Sequence, residues 1–555
     1  MGMSIKFSFF GKTTFSITLL GLLHFSPSIF ASESAVELSD QQRACMSLRF
    51  DNFAKLERGD AATNVIESRF VKGYEMNATE SLWAYKHSRL MGAPIPRSQK
   101  YLPDHCLVRG YVTPTIRFEL RLPARELWNQ KYLLNACMGF CGDVSPYPPM
   151  AGIVRHYATM SHDGGHTAYG FDGKWARNNE QGKIDFAYRA NHVVAVAAKA
   201  IIEKFYHTQP QYSFITGCSK GGHAGVMAAK RYPNDFDGVI ARGPTINYTD
   251  VNLVNCMDNA RAILDERDEP ILLPKDISKI ANAVVNACDS IDGVSDGVIS
   301  DPTQCDFDPQ TLVCEAGKVQ DCLSQQQVNA VKALYAPSKN AQGEVIYAGL
   351  PYGSETEWMG WVAPQLTQLK PFHYYAATEY LKYIAYPQAL DVDYKWRDFS
   401  YEDEQENLAH VSNMIDADDP DLRDFKNSGG KMLVIHGWAD AAVPAGATIK
   451  WYDEVEAFME SHNQEVRDFA RLFLLPGAAH CGVDGPGNST FDAISALEAW
   501  VVGGVAPSSL LTQKENAQGE VVRERPAYPY PQQAIYDGRG DPSKASSFKI
   551  GHLED

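Results

Sequence analysis

Long hydrophobic runs are what this chain most plainly lacks. Past its N-terminal segment no stretch reaches about 18 apolar residues, the length a bilayer-spanning helix needs. Basic runs are missing as well: no cluster of about five Lys or Arg occurs, and the formal net charge is −17. That balance argues against a nucleic-acid partner and against adhesion to an anionic membrane surface. C-x-x-C pairs are absent among the 11 cysteines, which removes the usual zinc-site signature.

Residues 1–31 differ in kind. Lys6 and Lys12 precede the apolar stretch Thr13–Leu23, and Ser28–Ile–Phe–Ala31 offers a small residue for cleavage. This reads as a secretory signal peptide, so a secreted or periplasmic protein starting near Ser32 is expected. No cysteine follows the apolar stretch closely enough for lipid anchoring. Export implies an oxidising compartment and disulfides. The odd cysteine count leaves at least one thiol free or paired between chains. With 555 residues, 45% of them hydrophobic, the chain is long enough for two domains or for one core carrying a large insertion.

The pattern along the chain favours the insertion. Gly110–Leu122 reads as early antiparallel strands and Lys131–Asn135 as a further strand entering the glycine-bearing loop Cys137–Gly142. Asp185–Tyr206 reads as a helix, Gln211–Thr216 as a buried strand, Ala224–Arg231 as a helix and Phe236–Gly243 as another strand. Strands alternating with helices point to an α/β fold with a parallel sheet. The rhythm stops near Pro244 and resumes at Gly430–His436 and Leu472–Leu475. The expected organisation is residues 32–245 and 421–555 as one α/β domain, with 246–420 as a long insertion between the two halves of its sheet. Lys514–Asp555 reads as an irregular wrap.

Between strand and helix lies Gly217–Cys–Ser219–Lys–Gly221. This is a G-x-S-x-G turn in the context that lifts a serine hydroxyl above a sheet. A serine is a poor nucleophile until a histidine accepts its proton, and the resulting imidazolium needs a carboxylate. In the order Ser, acid, His, the later strand ends supply Asp440, in His436–Gly–Trp–Ala–Asp440, and His480, in Pro476–Gly–Ala–Ala–His480–Cys481. Singly, such residues are ordinary caps or surface groups. Together they define the candidate triad Ser219, Asp440 and His480. Cys218 precedes the serine and Cys481 follows the histidine, so a disulfide between them would tie the two catalytic residues together.

This Cys-Ser…Asp…His-Cys arrangement resembles the tannase and feruloyl esterase family, which includes bacterial mono(2-hydroxyethyl) terephthalate hydrolases. The resemblance extends to Asp163–Gly–Gly–His166, Asp185–Phe–Ala–Tyr–Arg–Ala190 and Tyr536–Asp–Gly–Arg–Gly540. It implies an α/β-hydrolase fold, with residues 32–245 and 421–555 as the catalytic domain and 246–420 as a lid inserted after the elbow, and a carboxylic ester hydrolase acting on small aromatic esters of feruloyl, galloyl or hydroxycinnamoyl type. A terephthalate-monoester hydrolase is the alternative within the family. A non-catalytic, calcium-stabilised polyphenol- or carbohydrate-binding protein is the alternative from another class.

Residue by residue, the resemblance implies an oxyanion hole from the backbone N–H groups of Lys220 and Gly139. It implies structural Ca²⁺ on the side chains of Asp289, Asp292 and Asp296 and the carbonyls of Val294 and Val298, where composition alone admits an acidic turn equally well. It implies disulfides Cys288–Cys305, Cys314–Cys322 and Cys45–Cys106. The pairing of Cys137, Cys141 and Cys256 stays open. A C-terminal bridge common in the family would fall near Tyr528 and Ile550, where cysteines are missing, so a looser C-terminal wrap is expected. His162 and His166 read as part of a loop packed beside the elbow rather than as a metal pair. Substrate choice is assigned to the inserted segment, with Trp358, Trp361, Phe372, Tyr374, Tyr375, Tyr380, Tyr383, Trp396 and Phe399 as candidate walls.

Overall fold

Short apolar runs assemble a nine-stranded sheet in the order β1-β2-β3-β5-β4-β6-β7-β8-β9. The strands are β1 (Thr63–Val71), β2 (His105–Val112), β3 (Ile116–Pro123), β4 (Lys131–Asn135), β5 (Ala158–His162), β6 (Tyr212–Cys218), β7 (Gly238–Arg242), β8 (Lys431–Gly437) and β9 (Ala470–Leu475). The computed structural model describes residues 38–552, apart from 52, 54–61, 316–320, 366–369 and 392. The segment read as a signal peptide lies outside them. Strands β1 to β3 are antiparallel and β3 meets β5 antiparallel, whereas β5, β4, β6, β7, β8 and β9 run parallel. The sheet is therefore mixed, with the parallel half carrying the elbow.

Alternation explains why the parallel strands read as continuous apolar runs. Leu134, Ile215, Val239, Ala241, Met432 and Val434 point into one core, with residues of helices α1 (Ala190–Tyr206), α2 (Lys220–Arg231) and α3 (Ala445–Ser461). Their neighbours Leu133, Phe214, Ile240, Leu433 and Ile435 point into a second core against α4 (Ala493–Gly503). Successive side chains of a strand face opposite sides, and here both sides are covered, which is the condition for a buried parallel sheet.

Three departures from the sequence reading concern strands. His162, expected in a loop, ends β5, and β1 is an edge strand whose inward positions are too few to read as alternation. Lys514–Asp555 is not an irregular wrap. It holds most of the hairpin β10 (Leu510–Glu515) with β11 (Val521–Ala527), then the pair β12 (Gln532–Tyr536) with β13 (Phe548–His552). These strands are mostly half-buried, so their apolar pattern is weak. Ile550 pairs with Ala534 in the last ladder, and Arg523 and Arg525 of β11 both bind Asp296, at 3.0 and 2.6 Å.

The residues between β7 and β8 are largely helical and share a core with the catalytic loops. Phe140, Cys141, Ala441, Ala442 and Val443 pack in one cluster with Leu253, Met257, Trp358, Ala377 and Leu381. Asp40–Asp555 accordingly forms one compact unit.

Candidate active site

The elbow is built by close backbone approach. A Cβ on Gly217 would lie 2.4 Å from the Gly221 carbonyl, so only glycine fits there. Ser219 takes φ 59° and ψ −118°, a conformation that costs a non-glycine residue on the order of 1–3 kcal/mol and clusters at functional sites. Its N–H donates to the Arg242 carbonyl at the end of the neighbouring β7, which holds the turn over the sheet.

Asp440 follows β8 and His480 follows β9, and the parallel pairing of those strands brings the loops together. His480 Nδ1 donates to Asp440 Oδ2 at 2.8 Å. Asp440 is fully buried, and its other oxygen accepts the N–H groups of Ala442 and Val443 at 2.9 Å each. Burial pushes this carboxyl up, but His480 and His436 together outweigh it and hold it well below the usual carboxylate range. His436 was not foreseen: its Nε2 lies 3.2 Å from Asp440 Oδ2 and donates to the Val443 carbonyl at 2.8 Å. The available signal was a histidine four residues before the acid, at the end of the same strand.

Ser219 and His480 line one cavity of about 460 Å³, together with Met138, Gly139, Phe171 and Trp361. The Trp361 ring meets the His480 ring edge-on, with centroids 5.1 Å apart. Among the described residues Ser219 Oγ makes no hydrogen bond to His480. In ligand-free hydrolases that bond is commonly long and tightens with substrate. A second, narrower cavity of about 30 Å³ lies behind Ser219, lined by Thr245, Tyr248, Cys256 and His373. The Thr245 hydroxyl has no hydrogen-bond partner there. Of the nine aromatic residues named above for the inserted segment, only Trp361 lines these cavities; Trp358, Tyr380, Trp396 and Phe399 are core.

Lys220 opens helix α2, so its N–H is one of those a helix leaves unpaired. Its side chain turns into the protein, where Nζ donates to His223 Nδ1 at 3.0 Å and lies 4.7 Å from the Phe186 ring. Burial lowers its pKa to about 7. Gly139 has φ 59° and sits inside the short loop closed by a Cys137–Cys141 disulfide. That loop uses the N–H groups of Phe140 and Cys141 for its own bonds, to Gly170 and Met138, and Tyr248 Oη donates to the Gly139 carbonyl at 3.1 Å. The Asp163–His166 turn braces it: Gly142 N–H donates to the Asp163 carbonyl, and His166 Nε2 contacts the Phe140 carbonyl at 2.7 Å.

The structure joins Cys218 to Cys481, Cys45 to Cys106, Cys288 to Cys305 and Cys314 to Cys322. With Cys137–Cys141 settled, Cys256 is the free cysteine; it is buried, and burial pushes its thiol well up. Cys218 and Cys481 also lie near His480 as a trio of metal-type ligands, but both sulfurs are consumed by their bond.

The acidic loop shows an arrangement shaped by its own amides. Asp289 Oδ1 accepts the N–H groups of Gly297 and Val298 at 2.9 and 3.1 Å, and Asp292 Oδ1 accepts that of Val294 at 2.9 Å. The donor set, three carboxylates and two carbonyls, has the hard-oxygen chemistry Ca²⁺ requires. Burial and the Asp296 charge raise the Asp292 carboxyl, an environment that a cation would relieve. Asp296, however, already meets Arg523 and Arg525, and the three carboxylates do not close into a tight cluster among the described residues.

This sheet, with a serine on an elbow after β6 and an acid and a histidine on the loops after β8 and β9, all at its carboxyl edge, defines an α/β-hydrolase. The tannase and feruloyl esterase family model matches residues 104–550. The chain is 31% identical to an uncharacterised esterase of Xanthomonas campestris pv. campestris, covering 80% of this chain and 84% of that one. It is 28% identical to the mono(2-hydroxyethyl) terephthalate hydrolase of Piscinibacter sakaiensis, covering 82% and 86%. The crystal structure of feruloyl esterase B from Aspergillus oryzae superposes with a TM-score of 0.76 at 26% identity, covering 92% of this chain and 100% of that one. The chain belongs to the tannase and feruloyl esterase family and is a carboxylic ester hydrolase acting on small-molecule esters.

Proposed function

We propose that this protein is an exported serine esterase that hydrolyses esters of aromatic acids, of feruloyl, galloyl or hydroxycinnamoyl type, through an acyl-enzyme on Ser219. The observation that carries this reading is the buried Asp440–His480 pair at 2.8 Å opening on the same cavity as Ser219. His480 takes the Ser219 proton as the hydroxyl attacks the ester carbonyl, while Asp440 fixes the imidazole tautomer and stabilises the imidazolium. The Lys220 and Gly139 N–H groups hold the oxyanion. His480 then protonates the departing alcohol, and water repeats the sequence to free the acid.

The segment from about 246 to 420 acts as the lid that shapes the acyl site, with Trp361 as its contact to the histidine. A structural Ca²⁺ is proposed on Asp289, Asp292 and Asp296 with the carbonyls of Val294 and Val298, an ion that braces that segment and takes no part in the chemistry. Export is supported by the disulfides and by the N-terminal segment's composition. No described helix is long and apolar enough to cross a membrane.

The test is a panel of methyl gallate, methyl ferulate and methyl p-coumarate with wild type and Ser219→Ala. Turnover by wild type and its loss in a folded variant support the reading. A fluorophosphonate that labels nothing on a correctly folded wild type would favour the non-catalytic binding protein instead.

A further inference from the structure

The wall of the Ser219 cavity carries three carboxylates and, among the described residues, no lysine or arginine. Glu357, half-buried, lines it together with Trp361 and His480, and Asp143 and Asp484 stand exposed at its edge. Among the described residues, no lysine or arginine lines either this cavity or the narrower one behind Ser219. The nearby cations are engaged elsewhere. Arg397 pairs with Asp268 at 2.8 Å and donates to the carbonyls of Leu264 and Asp265. Lys514, whose charge reaches Glu357, is tied to the Gly485 carbonyl and lines a separate cavity with Arg523. Lys220 is buried against Phe186 and His223. The narrower cavity presents uncharged groups, since burial lowers the His373 pKa to about 4 and keeps that imidazole neutral.

We infer that Glu357, reinforced by Asp143 and Asp484, makes this site select esters whose acyl group carries no carboxylate. Uncharged aromatic esters are its substrates, and a monoester of an aromatic dicarboxylic acid is rejected. The inference rests on Ser219 being the nucleophile. An anionic acyl group entering a half-buried cavity loses hydration and finds no counter-charge. It also meets carboxylates of its own sign, and like-charge juxtaposition at a recognition surface is strongly unfavourable. Asp143 and Asp484 are exposed and screened by salt, so Glu357 is the leading specificity determinant. Burial raises the Glu357 carboxyl first and Asp484 and Asp440 add to that, while Lys514 and His480 offset part of it. An uncharged ester escapes the repulsion.

The test compares bis(2-hydroxyethyl) terephthalate with mono(2-hydroxyethyl) terephthalate, which share ring and leaving alcohol and differ by one free carboxylate. The diester is expected to show a kcat/KM on the order of 10²-fold higher, with the monoester accumulating as product. Glu357→Gln is expected to narrow that ratio about tenfold, whereas Glu357→Asp, which keeps the charge, largely preserves it. Comparable kcat/KM for both esters, or a ratio unmoved in Glu357→Gln, overturns the inference while leaving the serine-esterase reading intact. If neither terephthalate ester turns over but methyl ferulate does, the pair is read as competitive inhibitors of methyl ferulate hydrolysis. Tighter inhibition by the diester then supports the inference, and equal inhibition overturns it. Absence of all ester hydrolysis, methyl ferulate included, overturns the serine-esterase reading and this inference with it.

Discussion

Cys218 and Cys481 are bonded across 263 positions of chain, joining the residue before the elbow serine to the residue after His480. In the chain-entropy model a loop of this length stabilises by about 5 kcal/mol. The bond also limits how far Ser219 and His480 can drift. Replacing both cysteines with alanine is expected to lower stability by about 3–5 kcal/mol and to reduce kcat more than it raises KM. Denaturant unfolding and steady-state kinetics on the double variant check both halves. A variant with full kcat and lowered stability would leave the bond a purely structural role.

The Cys137–Cys141 bond makes the opposite prediction. Its sequence separation is only 4, so its removal costs about 2 kcal/mol of unfolded-state restriction. It surrounds Gly139, however, and its loss in Cys137→Ser/Cys141→Ser is expected to reduce kcat about tenfold by loosening the proposed oxyanion donor Gly139. Melting and kcat measured on the same samples separate the two effects.

Asp440 gives a prediction for catalysis and for acid stability. Asp440→Asn is expected to lower kcat by about 10²–10⁴-fold, because an amide no longer enforces the His480 tautomer. In the folded state the Asp440 carboxyl lies below its ordinary value. Its contribution to stability is therefore fully present above the unfolded pKa and lost as pH falls through the acid range below it. Asp440→Asn should flatten that part of the stability–pH curve.

Glu355 carries the reverse slope. Fully buried, its carboxyl is raised from 4.5 to about 7 by burial, against the hydrogen bonds of Tyr335 and Gly353. The folded state binds the proton more tightly, so stability falls as pH rises from about 4.5 to about 7. Glu355→Gln should remove this fall, and chemical denaturation at pH values spanning that window will show it.

The parallel half of the sheet and the residues around the elbow were legible because their signals are local. Ser219, Asp440 and His480 each sit at a strand end marked by small residues, and Leu133 to Asn135 or Ile215 to Cys218 read as buried runs on their own. The rest depended on contacts between segments remote in sequence. Nothing in the sequence tells which pair Cys137, Cys141 and Cys256 form until the loop curls on itself. His436 looks like an ordinary strand residue until β8 brings it under Asp440. Trp361 is one aromatic among many in its segment, and only packing against His480 distinguishes it. The strands β10 to β13 are half-exposed ribbons, whose weak alternation resembles loop sequence.

The central claim, that Ser219 is the nucleophile, is tested most directly by intact-mass and peptide mapping after treatment with a fluorophosphonate, alongside methyl ferulate hydrolysis. The account predicts a single adduct on the peptide containing Ser219, with hydrolysis lost in proportion, and neither adduct nor turnover in a folded Ser219→Ala variant. Hydrolysis that survives in Ser219→Ala, or an inactivating adduct on a different residue, would contradict it.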